Sequence, residues 1–405
     1  MTHAYKQTDV GMIPADWEVK TVGTLCNEVI DCDHATPVWT TSGFLVIRNQ
    51  NIRNGKLDFS QPSYTDEAHF LKRIRRAIPS FGDLIITREA PMGLVCMIPE
   101  NLTCCLGQRM VLLRPNQIIT NTKYLLYAIL SEDFQYSISV AGGTGSTVSN
   151  LRIPVLKNLP LPLPPLPEQR AIAAALSDVD ALIGALEALI AKKRAIKQAT
   201  MQQLLTGQTR LPGFATTTAM QQTEVGLIPA DWEVKRLGEV GEITTGFKDV
   251  NEGNISGLYP FFTCSKNHTF SDNYSFDTEA ILVAGNGDVG NLHYYNGRFE
   301  AYQRTYVITN FKQTVNYIWQ NLNYSLANFL GIGKIGSSIP YIKMENLTHY
   351  LLPFPSLAEQ TAIAAVLSDM DAELAALEAQ LHKTRAIKQG MMQELLTGKT
   401  RLIVN

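Results

Sequence analysis

Gln108-Arg109 and Gln303-Arg304 each stand directly before a strand-like run, in two stretches of chain that otherwise look unrelated. Arginine offers parallel N–H groups that match the guanine O6/N7 edge, and glutamine offers the donor–acceptor pair that matches adenine. A double-stranded nucleic acid is the ligand those residue types suggest; a solvated or purely structural pair is the alternative, and both readings stand on the sequence. Arg48, Asn49, Asn51 and Arg53 extend the same chemistry as a polar, basic run after the strand-like stretch 44–48. Lys266 follows the strand-like stretch 259–263, and Asn286 lies in the glycine-rich stretch 285–290. Gly145-Ser146 and Gly336-Ser337 occupy loops rich in Gly, Ser and Thr, where Ser146, Ser337 and the backbone N–H groups suit phosphate oxygens. Lys72-Arg73-Ile74-Arg75-Arg76 is the densest basic cluster, either a nucleic-acid contact or a solvated helix face.

Other chemistries find less support. With 35 Lys plus Arg against 37 Asp plus Glu, the net charge of -2 excludes a uniformly basic coat protein but leaves room for a local basic surface. Gly285-Asn286-Gly287-Asp288-Val289-Gly290 matches a dinucleotide-binding glycine pattern, but residues 291–297 read as strand and turn rather than helix, so a tight hairpin is the better expectation. Glu18-Val19-Lys20 resembles half of a nuclease motif, but its return as Glu233-Val234-Lys235 beside Trp232 favours a structural role. The six cysteines form no C-x-x-C pair, so neither a structural zinc site nor a disulfide framework is expected. No catalytic residue and no metal ligand is assigned. No signal-like opening and no bilayer-length apolar run is seen, so the expected location is cytoplasmic, without a membrane partner.

The elements that must position these side chains are written twice. The block 10–20 (VGMIPADWEVK) returns as 225–235 with only Met12 changed, to Leu227. Leu166–Leu211 returns without gaps as Leu357–Leu402, about two thirds identical. In the first copy Ile172, Leu176, Val179, Ile183 and Leu186 recur in steps of four and three; Ile363, Leu367, Met370, Leu374 and Leu377 repeat them. That is a heptad seam on a long helix, about 55 Å from Glu168 to Leu205. Ser356-Leu357-Ala358-Glu359 predicts a capping box at the second start, Pro165 and Pro167 a first turn at the other, and Gly207 and Gly398 left-handed caps at the ends. The seams would be covered by antiparallel pairing of the two helices, or by separate docking of each on its own domain. Between the repeats, strand-like runs at 84–88, 94–98 and 110–113 precede a helix at 121–137, and runs at 280–283, 292–295 and 305–308 precede one at 315–330. The expected fold is α+β: two globular mixed α/β domains separated by two long antiparallel coiled-coil helices, with a pseudo-two-fold internal repeat. The segments are a first domain at 1–165, a first helix at 166–207, a linker at 208–224, a second domain at 225–355 and a second helix at 356–400.

Taken together, the twin I-P-x-x-W-E-V-K openings, the twin E-Q-x-x-I-A-x-x-L-S-D-x-D helix starts and the twin L-L-T-G-x-T-R-L ends at Leu204–Leu211 and Leu395–Leu402 resemble the specificity subunits of Type I restriction-modification enzymes. Leu84-Ile85-Ile86-Thr87-Arg88 and Gln108-Arg109 are similar to that family's target-recognition domains, which adds Arg88 to the candidate DNA contacts. Thr361 in place of Arg170, and Ala284-Gly285 in place of a Thr87-Arg88 type of pair, are departures within the repeat. The resemblance implies a non-catalytic chain without a cofactor of its own, each target-recognition domain reading one half of a bipartite double-stranded DNA site. It implies that the helices set the unread spacer and dock two methylation subunits carrying S-adenosylmethionine, and that restriction subunits using ATP and Mg join them. A DNA-binding adaptor of a Type IIB-like kind and a protein-only coiled-coil scaffold are the other readings.

Overall fold

The computed structural model describes residues 4–89, 91–142, 150–215, 217–331 and 341–402. Its compact units are Met1–Leu186 with Gln380–Asn405, and Glu187–Ala379. Each unit therefore takes a target-sized domain together with a part of both long helices.

In the first unit a hairpin, β1 (Tyr5–Thr8) and β2 (Gly11–Pro14), opens the chain. The domain proper contains β3 (Cys26–Asp31), β4 (Phe44–Ile47), β5 (Tyr64–Thr65), β6 (Leu84–Thr87), β7 (Val95–Met97), β8 (Cys104–Leu106) and β9 (Met110–Pro115). Among the described residues these form an antiparallel sheet in the order β7-β6-β9-β3 and a second sheet β8-β4-β5, in which β8 runs parallel to β4. β6 is buried along its whole length, which explains its unbroken apolar run. Alternation sends Leu84 and Ile86 to one face, with Val111, Leu113, Tyr124 and Leu125, and Ile85 to the other, with Ile47, Cys104 and Leu112. The helix expected at 121–137 is two helices, α1 (Thr122–Leu130) and α2 (Glu132–Ala141). Ser131 breaks it: its hydroxyl accepts from Phe134 N at 3.3 Å and so starts a new helix.

Helix α3 spans Leu166–Leu205. The second unit then repeats the plan with β10 (Met220–Thr223) paired to β11 (Gly226–Pro229), so the expected linker ends in a strand rather than staying irregular throughout. β12 (Glu242–Thr245), β13 (Tyr259–Phe262), β14 (Thr269–Ser271), β15 (Phe276–Ala284), β16 (Leu292–Ala301) and β17 (Thr305–Thr309) make a sheet in the order β12-β17-β15-β16-β13-β14. Its inner strands follow the order of the first domain, and β13 lies parallel to β16 as β4 lies parallel to β8. Where β16 is continuous, the first domain breaks the same path into β7 and β8. α4 (Val315–Phe329) packs Tyr317, Ile318 and Leu322 on Ile281, Val283 and Ile308. α5 spans Leu357–Leu395. No helix among the described residues is long and apolar enough to cross a membrane.

Both expected ways of covering the seam occur. Ile172 and Leu176 of α3 are fully buried in one cluster with Tyr124 and Leu125 of their own domain and with Leu395 and Leu396 at the end of α5. In the second unit Ile363 and Leu367 pack with Tyr317 and Ile318 and with Met201, Leu204 and Leu205 of α3. Leu186 and Leu374 are buried, whereas Val179, Ile183, Met370 and Leu377 are half-buried. The antiparallel sense is fixed by the ion pairs within each unit: Glu168–Arg401 and Asp180–Lys388 in the first, Arg194–Glu378 and Lys197–Asp371 in the second.

The repeated openings close onto the ends of these helices. Gly398 has φ 72° and Gly207 φ 71°, the left-handed caps expected. A Cβ on Gly398 would lie 2.5 Å from Pro14 and 3.2 Å from Trp17; one on Gly207 would lie 2.4 Å from Pro229 and 3.3 Å from Trp232. Three residues after each glycine comes an arginine. Arg401 forms two pairs of hydrogen bonds, to Asp16 at 3.0 and 2.8 Å and to Glu168 at 2.8 and 2.8 Å. Arg210 does the same with Asp231 and Glu359. Of the expected capping box only half forms: Ser356 Oγ accepts from Glu359 N at 3.3 Å, while the Glu359 carboxylate turns to Arg210. Trp17 Nε1 donates to Glu168 at 3.0 Å; Trp232 Nε1 is buried with no partner among the described residues.

Candidate nucleic-acid interface

In each domain one sheet edge gathers the ends of three strands by the same backbone bonds. In the first, Gly107 N donates to Ile47 O at 2.7 Å, Arg88 N to Arg109 O at 2.9 Å, and Leu151 N to Arg88 O at 2.9 Å. In the second, Tyr302 N donates to Phe262 O at 3.0 Å, Gly285 N to Arg304 O at 2.9 Å, and Ile342 N to Gly285 O at 2.8 Å. Gly93 and Gly290, both at positive φ, close equivalent turns by bonding to Thr87 O and Ala284 O at 2.9 Å. The glycine pattern 285–290 is therefore a hairpin turn running into β16, and the helix a dinucleotide site needs is replaced by a strand.

This edge brings Arg48, Gln108 and Arg109 together in the first domain. Arg109 is exposed, has φ 67°, and pairs with Glu89 at 2.9 Å. Gln108 Nε2 donates to His34 O and to Thr36 Oγ1, the latter at 2.9 Å. Arg48 lies over the Trp39 ring, 4.9 Å from its centroid, and reaches Ser63 Oγ at 3.4 Å. Asn49 is half-buried in the short 3-10 turn next along the chain. Arg53 is exposed and pairs with Asp58 at 2.9 Å, on a separate two-stranded hairpin.

In the second domain Lys266, Asn286, Gln303 and Arg304 converge. Asn291 Nδ2 donates to Ser265 O at 3.2 Å, tying the 265–268 loop to the 285–290 turn, and Cys264 Sγ reaches Arg304 O at 3.4 Å. Gln303 Nε2 donates to Asp249 at 3.3 Å. Lys266 and Arg304 are exposed and have no side-chain partner among the described residues; Asn286 is half-buried. Burial pushes the His293 imidazole below its usual range beside this loop, so it is neutral at pH 7.

Two candidates are corrected. Arg88 is buried and bonded within the protein: Nη1 binds both Asp31 oxygens at 2.9 Å, Nε the Leu151 carbonyl at 3.3 Å, and Nη2 Asn150 at 3.2 Å. It clamps the edge, and its bonds run to protein acceptors. Asn51 is 1% exposed; its amide accepts from Arg48 N at 3.0 Å and donates to Asp58 O and Gln61 O, both at 3.1 Å. Its work is to hold the turn that carries Arg48. Ser146 and Ser337 lie outside the described residues.

The basic cluster 72–76 is solvated at Lys72, Arg75 and Arg76 but turns inward at Arg73. Arg73 is buried and donates to Leu106 O at 2.7 Å and to the Asp33 and Ala35 carbonyls; Arg76 donates to Asp31 O and Cys32 O. These bonds fix the 31–35 segment on which Gln108 rests. The ligand-type atoms of Asp31, Cys32 and His34 lie within 4.8 Å of one another. They serve protein partners: Asp31 holds Arg88 and His34, and Cys32 Sγ accepts from Met110 N at 3.3 Å. Trp39 and Glu89 are the side chains that sequence reading missed. Neither belongs to a repeat or a periodic run, and only their contacts with Arg48 and Arg109 reveal them.

A family model for the Type I restriction modification DNA specificity domain matches residues 14–198 and 229–385. Among known proteins the chain is similar to the Type I restriction enzyme EcoDI specificity subunit of Escherichia coli, 36% identical over 172 residues, which is 42% of this chain and 38% of that one. It is also similar to a protein of Methanocaldococcus jannaschii provisionally named the type I restriction enzyme MjaX specificity subunit, 27% identical with 98% and 97% of the two chains covered. Among solved structures it is similar in fold to the Type I restriction-modification S subunit from M. genitalium, with TM-score 0.64, 18% identity and coverage of 98% and 99%. A second structure, from work on complex assembly and conformational transition of the type I R-M system, gives TM-score 0.57 at 18% identity, covering 96% and 99%.

Proposed function

The chain belongs to the Type I restriction-modification DNA specificity family, and from that premise we propose that each of its domains reads one half of a bipartite DNA site. The observation that carries this reading is the matched edge: one backbone frame, built twice, holding a Gln-Arg pair common to both among otherwise different polar side chains. Arg48, Gln108 and Arg109 face one half-site; Lys266, Asn286, Gln303 and Arg304 face the other. Guanidinium and amide groups supply base contacts, and the lysine together with the flanking backbone supplies phosphate contacts.

The long helices set the unread spacer and dock two methylation subunits. Catalysis lies in the partners, with S-adenosylmethionine in the methylation subunits and ATP with Mg in the restriction subunits, all acting in the cytoplasm. A net charge of -2 is compatible with DNA recognition when bound partners supply much of the phosphate contact.

The test is an adenine-methylation map, by long-read sequencing, of cells carrying the methylation subunit with and without this chain. A two-part motif with a fixed gap that appears only with the chain is expected. If an active methylation subunit shows no motif that depends on the chain, the reading fails.

A further inference from the structure

We propose that Trp39 is a positioning residue that holds the Arg48 guanidinium flat for pairing with a guanine edge in the half-site of the first domain. This rests on the DNA-recognition reading above. Arg53, Arg88 and Arg109 are each paired with a carboxylate, respectively Asp58, Asp31 and Glu89. Arg48 has no carboxylate partner among the described residues and lies against an indole face instead. A carboxylate takes up the in-plane N–H groups that a base would need. An aromatic face fixes the guanidinium plane and leaves those N–H groups available, apart from the one on Nη1 that meets Ser63 Oγ at 3.4 Å.

The surroundings are built for that presentation. Trp39 is 44% exposed, yet its backbone is pinned on both sides: Val38 O accepts from Thr65 Oγ1 at 2.8 Å, and Thr40 N donates to Tyr64 O at 3.1 Å. The backbone of Arg48 is fixed by the buried Asn51 amide. Its stem passes over Gly107, where an added Cβ would lie 3.2 Å from Arg48 Cγ and 2.9 Å from Ile47 O. Gly107 is followed directly by Gln108 and Arg109, so the group is set at the reading edge.

The experiment reconstitutes the chain with its methylation subunits and maps methylation on adenine-unmodified genomic DNA. Trp39→Ala and Arg48→Ala are expected to lower the preference for guanine at one and the same position of one half-site, by about tenfold or more. The other half-site and the gap stay unchanged, Trp39→Phe keeps the wild-type motif, and the double alanine variant relaxes no further position. If Trp39→Ala does not assemble, Trp39→Leu takes its place as an apolar residue without a ring. A Trp39→Ala, Trp39→Leu or Arg48→Ala variant that assembles and keeps the preference at every position overturns the proposal, as does relaxation by the Trp39 variant at a position different from that of Arg48→Ala. A wild-type complex that methylates without any two-part motif overturns both this proposal and the reading beneath it.

Discussion

Arg401→Ala should destabilise the first unit by about 3–5 kcal/mol, the cost of leaving a buried carboxylate without its partner. The magnitude comes mainly from Glu168. The Arg401 side chain is 7% exposed and that of Glu168 4%, with two hydrogen bonds of 2.8 Å between them. That bonding also pushes the pKa of the Arg401 guanidinium up, so the cation is fixed at any working pH. Asp16 is 54% exposed on its side chain; water screens it, and its share is under about 1 kcal/mol. Loss of the guanidinium over the Trp17 ring, 5.6 Å from its centroid, adds about 0.5–1 kcal/mol. After truncation Glu168 retains, among the described residues, Trp17 Nε1 and Leu402 N as donors. Urea unfolding followed by tryptophan fluorescence measures the change. Arg401→Lys, which keeps the charge but not the planar fork, should fall between wild type and alanine. A loss below about 1 kcal/mol for Arg401→Ala would refute the claim that Glu168 depends on this partner.

Three further outcomes are expected. Trp17→Phe should cost about 1–3 kcal/mol more than Trp232→Phe, because it removes a bond to a buried carboxylate whereas the other change removes an unpaired N–H; equal denaturation midpoints would contradict this. Gly398→Ala and Gly207→Ala should each cost about 1–3 kcal/mol, since both combine positive φ with contact on a proline ring, whereas Gly390→Ala, helical and with open space at its Cβ, should stabilise by about 0.5–1 kcal/mol; thermal melts read both signs. All six cysteines are buried, and burial pushes the thiols of Cys26, Cys96 and Cys104 up to about 12, so at pH 8 they stay protonated; iodoacetamide should label none in the native protein and all six in denaturant, and native labelling would contradict the packing.

Much of the architecture was legible because it rests on repetition and periodicity. The duplicated blocks located both long helices, and the glycines after them marked their ends. Buried strands such as Leu84–Thr87 showed as apolar runs. The split at Ser131 was not legible, because Tyr127, Phe134 and Ile138 keep an apolar rhythm across the break. Among the candidate site residues, Gln108, Arg109, Gln303 and Arg304 stood out in the sequence because two diverged domains kept them in one place. Arg88 and Asn51 have the residue types of a reader, but burial depends on tertiary neighbours such as Asp31 and Gln61, which sequence spacing does not reveal. Arg73 shows the same limit: a basic run looks solvated until a carbonyl from a distant loop is found beneath it.

The composition of the first unit has a consequence for synthesis on the ribosome. Its domain is complete only when Leu395, Leu396, the Gly398 turn and Arg401 have been made, after the whole of the second unit. At about 5–20 residues per second, the nearly two hundred intervening residues impose a wait of about 10–40 s. During that wait Trp17, Ile172 and Glu168 lack their covering, which exposes a nascent domain to chaperones and proteases. The second unit, contiguous in sequence, meets no such delay. A premature stop near residue 380 would therefore injure the domain made first and spare the one made last.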